Sequence, residues 1–268
     1  MKPELAARFH QLHADGLLLL ANAWDAGTAR LAQAAGARAV ATSSAAVAWA
    51  HGWPDGDALP VELVLQTTRA VAGAVDLPVT VDIEGGYSDD PARVGALVAQ
   101  LIAAGAVGIN IEDGGGDPAL LAAKIAAARR AAVDSGVDLY INARTDVWLR
   151  GLAAPAGRVA EALARAARYR AAGASGLFAP GVTDEAEIAA LAGDGGMPLN
   201  VLAWTGLPDA ARLRALGVRR LSAGSAISEA MQGLVLGMMR QFLAGGMLQG
   251  GDTAPLDYRA VQALMARG

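Results

Sequence analysis

The sequence predicts a closed (β/α)8 barrel, the TIM-barrel architecture, and three observations carry that prediction. Eight apolar runs, near residues 17–21, 38–42, 78–83, 107–111, 138–143, 175–179, 198–202 and 219–223, alternate for the most part with alanine-rich stretches of helical period. Four of those stretches end in one recurring phrase: AGARAV from Ala35, AGAVGI from Ala104, AGASGL from Ala172 and LGVRRL from Leu216. The glycine in each is placed to end a helix in the left-handed conformation just before a strand begins. Finally, 268 residues is the size of one such barrel, and no Pro/Ser-rich linker or charge run divides the chain. Residues 1–268 are therefore expected to form one domain, with a C-terminal helical extension from about 226.

Taken in order, residues 3–14 fit a short amphipathic helix with Leu5, Phe9 and Leu12 on one side. The first strand runs into a loop holding Asn22, Trp24 and Asp25. The second leads to Thr42, Ser43 and Ser44, and further on to His51 and Asp55. The third ends in VDIEGGY, where an apolar run stops at Asp82 and Glu84 and two glycines follow. Residues two apart on a strand share a face, so these carboxylates are expected to project together, with Gly85 and Gly86 turning the backbone behind them. The fourth strand repeats the design in INIEDGGG, ending at Glu112 and Asp113. The fifth ends in INARTD, presenting Asn142, Arg144 and Asp146, and the seventh presents Asn200. After the eighth, residues 226–243 form a helical pattern apolar around much of its circumference, which asks for burial on more than one side.

Composition excludes several functions. The chain has no cysteine, so disulfides, thiolate ligands and a cysteine nucleophile or acid are absent. A net charge of −4 and only two lysines, Lys2 and Lys124, speak against a nucleic-acid footprint. Although 54% of residues are hydrophobic, no apolar run nears the length of roughly 20 that a membrane span needs. The polar N-terminus lacks a signal-peptide core, so a cytoplasmic protein is expected.

In a barrel, loops after the strand C-termini share one face, so the polar residues above should meet despite their sequence separation. Asp55, Asp82, Glu84 and Glu112 form an all-oxygen donor set, which suits Mg²⁺ or Mn²⁺ rather than zinc. Mg²⁺ keeps several waters, so some of these acids are expected to act through water. Arg144 has two readings: a bidentate clamp on a carboxylate or phosphonate, or an ion pair with Asp146 or one of the acids. Ser43 and Ser44 are either a carboxylate cradle or simple turn residues.

NAWDAGTARL, ATSSAAVAWAHGWPDGD, VDIEGGY, GINIEDG and INARTD, in this order, resemble the isocitrate lyase/phosphoenolpyruvate mutase superfamily from Asn22 to about Ser225. The resemblance implies a (β/α)8 barrel that uses Mg²⁺ to bind 2-oxo acids and stabilise a pyruvate-like enolate. It also implies a homo-oligomer, dimer or tetramer, in which the last helix is exchanged between subunits. Residue by residue, it makes Asp82 the direct metal ligand, with Asp55, Glu84 and Glu112 on the metal's waters. It assigns substrate contact to Trp24, Ser43, Ser44, Ala45, Arg144 and Asn200, and it places Asp55 where mutases keep an acid proposed to attack phosphorus.

The departures matter as much. Lyases of the family carry a K-x-C-G-H segment after strand four, where this chain reads GGGDPALLAAKI, and a glutamate after strand six, where Pro180 stands here. The lysine and asparagine of the mutase gating loop have no match either, Lys124 falling in the following helix. The expectation is an Mg²⁺-dependent lyase or decarboxylase cleaving a C–C bond beside a 2-oxo acid, with Tyr87, His51 or a metal-bound water as proton source. Two alternatives remain open: P–C chemistry on a phosphonate with Asp55 as nucleophile, and a 2-oxo acid binding protein without turnover.

Overall fold

A computed structural model describes residues 3–246 and 256–266. In chain order the elements are α1 (Pro3–Ala14), β1 (Leu18–Ala23), α2 (Ala26–Ala34), β2 (Val40–Thr42), α3 (Ser44–Ala50), α4 (Val61–Ala74), β3 (Val79–Asp82) and α5 (Pro91–Ala103). There follow β4 (Gly108–Glu112), α6 (Pro118–Asp134), β5 (Tyr140–Arg144), α7 (Arg158–Ala171), β6 (Gly176–Phe178), α8 (Glu185–Asp194), β7 (Leu199–Leu202), α9 (Ala210–Ala215), β8 (Arg220–Ser222), α10 (Ala226–Gly245) and α11 (Tyr258–Met265). The eight strands pair in sequence order, all parallel, and β1 closes on β8 through Leu18↔Arg220 and Leu20↔Ser222. The fold is thus the expected (β/α)8 barrel. Of the C-terminal extension expected from about 226, residues 247–255 and 267–268 lie outside the described residues.

Local chemistry explains where elements begin and end. Asp25, Asp90, Asp117, Asp184 and Asp209 each accept a backbone N–H at the start of the next helix, and Asp25 and Thr28 form a reciprocal capping box. At the other end, Gly36, Gly105, Gly173 and Gly217 have φ of 89°, 109°, 106° and 90°, the left-handed stop that the recurring phrase predicts. One element was not foreseen: Ser43 caps α3, a short helix between β2 and the segment holding Asp55.

The barrel has an apolar jacket and a polar centre. Val79, Val81, Ile109, Ile111, Ile141, Leu199 and Val201 are buried in the apolar core. Inside, Asn142 donates to Asn110 (2.9 Å), Arg220 donates to the same oxygen (3.1 Å), and Ser222 donates to Asn200 (3.1 Å). Arg220 is 1% exposed, and burial lowers its pKa to about 10, so it remains a cation. Helix α1 stops the N-terminal mouth: Phe9 meets Tyr140 edge-on and His13 stacks on Tyr140 at 3.9 Å. Phe9 and Leu12 are buried as expected, whereas Leu5 sits at the margin and Ala6 and His13 complete the face. Two glycines make room, since a Cβ at Gly108 would lie 2.8 Å from Phe9 and one at Gly176 would collide with the Tyr140 hydroxyl.

Helix α10 does not pack on its own barrel. Ile227, Leu234, Leu236, Met239, Phe242 and Leu243 are all exposed, and Ser228 alone among its residues is buried. Between α2 and α9, over β1 and β8, lies a groove of about 850 Å³ lined by Leu19, Ala32, Ala211 and Leu221 among others. Leu19 there is 56% exposed although it belongs to a central strand.

Candidate active site

Strands β3, β4 and β5 deliver the acids and the arginine to one end of the barrel. In the paired register Asp82 stands opposite Asn110, and Glu112 opposite Arg144. Asp82 is fixed from β2: its amide donates to Thr42 Oγ1 (2.9 Å), and its Oδ2 accepts from the Ser44 amide (3.1 Å). That amide therefore serves Asp82 here, while Ser43 acts as the α3 cap and Ala45 sits in the first helical turn.

Glu84 arrives by a different route from the strand alternation expected for it. β3 ends at Asp82, and Glu84 lies beyond it with φ 51° in the left-handed region. Its Oε2 accepts from the amides of Gly56 (2.9 Å) and Asp57, and its Oε1 accepts from the Tyr87 hydroxyl (3.1 Å). The turn behind it is built by glycine as expected, with the Gly86 amide donating to Ile83 O (2.7 Å) at φ 94°.

Arg144 is occupied on two sides. Its Nε and Nη2 form a two-bond fork on Asp146 (2.7 and 3.1 Å), and its Nη1 meets Glu112 at 2.5 Å. The ion-pair arrangement is thus the one present, and it leaves the outer Nη hydrogens as the remaining donors. Asp146 is 1% exposed and its amide donates to Asp113 (3.1 Å), which also accepts from Arg165 (2.8 Å) and Tyr169 (2.7 Å). A buried chain of contacts therefore runs from α7 to the arginine.

The electrostatics are those of crowded, buried carboxylates. Burial raises the pKa of Glu112 to about 8, with Arg144 opposing and the charges of Asp82, Asp146 and Glu84 adding to the rise. Burial likewise raises Glu84 to about 6 and pushes Asp82 up, with Asp55 among the repelling charges for both. Tyr87 is pushed upward by burial and the surrounding acids, so its phenol stays protonated. Among the described residues no three Asp, Glu or His side chains converge as a preassembled metal cage. The set that does meet is all-oxygen, anionic and short of cations, which fits an ion that keeps most of its water and takes one or two carboxylates directly.

The other expected residues fall into place unevenly. Asp55 is exposed on the segment between α3 and α4, close enough to raise both Asp82 and Glu84. Trp24 is buried beside the α2 cap, and Asp25 is that cap. Asn22 ties β2 to the segment after β8, donating to Thr42 O (3.0 Å) and accepting from the Gly224 amide (2.9 Å). Asn200, on β7 between β6 and β8, is 1% exposed, and its Nδ2 has no protein partner among the described residues. His51 Nε2 lies 2.9 Å from Thr67 Oγ1 on α4. Lys124 lies in α6 as expected, yet its buried amine reaches Gly85 O (2.8 Å) and Asp89 (3.1 Å). It lines a cavity of about 320 Å³ with Glu84, Glu112 and Asp57. Sequence reasoning passed over Asp57 and the reach of Lys124. The positive φ at Asp57 has no local signature beyond the neighbouring glycine.

A family model described as phosphoenolpyruvate phosphomutase matches residues 9–243. The chain belongs to this family. An uncharacterized protein of Mycobacterium tuberculosis H37Rv is 40% identical over 223 residues, 81% of each chain. The 2-methylisocitrate lyase of Escherichia coli K12 is 34% identical over 173 residues, 60% of this chain and 56% of that one. Among solved structures, a candidate phosphonomutase from Burkholderia cenocepacia J2315 superposes with a TM-score of 0.84 and 41% identity, covering 88% of this chain and 99% of that one. Phosphonopyruvate hydrolase, solved with oxalate and Mg²⁺, gives a TM-score of 0.83 at 26% identity, covering 98% and 95%. The family resemblance read from the motifs is therefore correct.

Proposed function

We propose that this phosphomutase-family protein is an Mg²⁺- or Mn²⁺-dependent enzyme that cleaves a C–C bond next to a 2-oxo acid through a pyruvate-like enolate. One observation carries the reading: Asp82 at the end of β3, Glu84 in the turn after it and Glu112 at the end of β4 are acids that burial raises, and among the described residues the cation paired with any of them is Arg144, on Glu112. Asp82 would hold the ion, with Glu84, Glu112 and Asp55 on its waters. A bound divalent ion supplies a Lewis acid for the 2-oxo oxygen. The amide-rich start of α3, with Ser43, Ser44 and Ala45, faces the substrate carboxylate, and the outer Nη hydrogens of Arg144 meet its second anionic group. Asn200, whose Nδ2 has no protein partner among the described residues, would add a donor to the substrate. Tyr87, whose hydroxyl donates to Glu84, His51, which bonds Thr67, and a water on the bound ion are the three groups that would return the proton. Decarboxylation needs no base to begin, so a site without a loop cysteine remains competent.

Isothermal titration with oxalate tests the reading. Binding should require Mg²⁺ or Mn²⁺ and be lost in Asp82→Ala; equal affinity with and without metal would sink it. A second reading, P–C cleavage of a phosphonate with Asp55 as nucleophile, is favoured by the exposed position of Asp55 beside Asp82 and Glu84. Release of pyruvate or phosphate across a substrate panel separates the two, and metal-dependent binding without either product marks a binding protein.

The proposal extends to assembly. Residues 1–268 would act as one barrel domain whose extension, α10, leaves its own barrel and enters the groove between α2 and α9 of a second copy. Both the exposed apolar helix and the exposed Leu19 would then be covered.

A further inference from the structure

The segment between α3 and α4 is fastened to the acid cluster by two carboxylates that act in opposite directions. Glu84 reaches across to it, accepting from the amides of Gly56 (2.9 Å) and Asp57. Asp57 reaches back, its Oδ1 accepting from the Tyr87 amide (3.1 Å) and its carboxylate also taking the Gly85 amide. The same Gly85 peptide is gripped from its other side, where its carbonyl accepts from Lys124 Nζ (2.8 Å). No side chain could replace the hydrogen there without displacing the clasp, because a Cβ on Gly85 would stand 2.8 Å from Asp57 Oδ2.

Backbone conformation marks the same three residues. Among the described residues, the non-glycine positions with positive φ are Asp57 (54°), Glu84 (51°) and Tyr87 (56°). That conformation is uncommon for Glu and Tyr and easier for Asp, and here each of the three is bonded to another. The clasp restrains the segment that carries Asp55 two residues before Asp57. It also fixes the carboxylate of Glu84, so the orientation of two acids of the site depends on a third acid outside it.

We propose that Asp57 is a positioning residue: its carboxylate, bound to the Gly85 and Tyr87 amides, holds the segment carrying Asp55 and the turn carrying Glu84 against one another. It touches no reacting atom. The inference rests on the proposed metal-dependent acid binding for its affinity readout only.

Two variants test it. Asp57→Gly removes the carboxylate while glycine adopts φ 54° without strain, so the backbone is spared. Asp57→Asn tolerates the same conformation and keeps one oxygen acceptor for the two amides, with its NH2 left to face the other. In Asp57→Gly, hydrogen exchange at the Tyr87 amide should accelerate about tenfold or more, and Mg²⁺-dependent oxalate affinity should fall about tenfold, with the melting temperature held. Asp57→Asn, which keeps one of the two amide contacts, should fall between wild type and Asp57→Gly in both readouts. Unchanged exchange at Tyr87 and Gly56 in Asp57→Gly would overturn the proposal, as would damage in Asp57→Asn equal to that in Asp57→Gly. Should the wild type bind no oxalate with Mg²⁺, the proposed function fails, and the exchange comparison between the two variants still decides the role of Asp57.

Discussion

His13 makes the stability of this barrel sensitive to mild acid. Its ring is 2% exposed, stacks on Tyr140 and bonds Phe9 O through Nδ1 (2.7 Å), while Nε2 is buried with no partner among the described residues. Burial, aided by the nearby charge of Arg220, lowers its pKa from 6.5 to about 3. A histidine whose folded pKa lies below its unfolded value binds fewer protons in the fold. Its contribution is therefore complete above pH 6.5 and is lost as pH falls from there toward about 3. Each pH unit in that window removes about 1.4 kcal/mol, so the loss between about pH 7.5 and about pH 5 is about 2 kcal/mol. Glu84 and Glu112, whose pKa values are raised, titrate nearby with the opposite sign, so the difference between proteins must be read rather than a single curve. His13→Phe keeps a ring on Tyr140 and cannot titrate. Urea unfolding of both proteins at fixed concentration should show the wild type losing about 2 kcal/mol more than the variant over that interval. Equal losses would mean that the ring is not held neutral inside the fold, and the reasoning would fail.

Other expectations follow from the same contacts. Arg144→Lys replaces a planar fork by a point charge, so Asp146 loses a two-bond partner; unfolding free energy should fall by about 1–3 kcal/mol and oxalate affinity by about tenfold, while wild-type stability in this variant would show that the fork is not maintained in solution. Gly176→Ala drives a methyl into the Tyr140 hydroxyl and to 2.9 Å from Asn142 Oδ1, which should destabilise the barrel by about 1–3 kcal/mol. Tyr140→Phe in that background should recover part of the loss, and no recovery would exclude the collision as its cause. For assembly, light scattering should report an oligomer for the wild type and a smaller species when Leu234 and Phe242 of α10 are both changed to Glu. A wild-type monomer at about micromolar concentration would refute exchange of the helix.

Much of the architecture was legible because its determinants are local. Apolar runs spaced by helical stretches, and a glycine such as Gly105 that only a helix stop requires, act over a few residues and need no knowledge of the fold. The strand-end acids Asp82 and Glu112 were legible for the same reason, since a charge that ends an apolar run belongs at the mouth of a barrel. Local reading could not separate Asp25, which caps a helix, from acids that serve the site, because both kinds occupy the turn after a strand. It also misjudged how Glu84 is placed, where strand period fails once the chain leaves β3 at Asp82.

What the tertiary structure alone decided are the pairings across the closed barrel. Lys124 meets Gly85 from 39 positions away, Asp57 meets Tyr87 from 30, and Arg165 meets Asp113 from 52. None of these residues announces its partner, because sequence patterning specifies which face a side chain takes and not what stands opposite. The opposite partner is set when β1 closes on β8 and brings the loops together, and burial then makes each unpaired charge too costly to leave alone. Composition therefore excluded cysteine from any site, and closure determined which residues stand opposite one another.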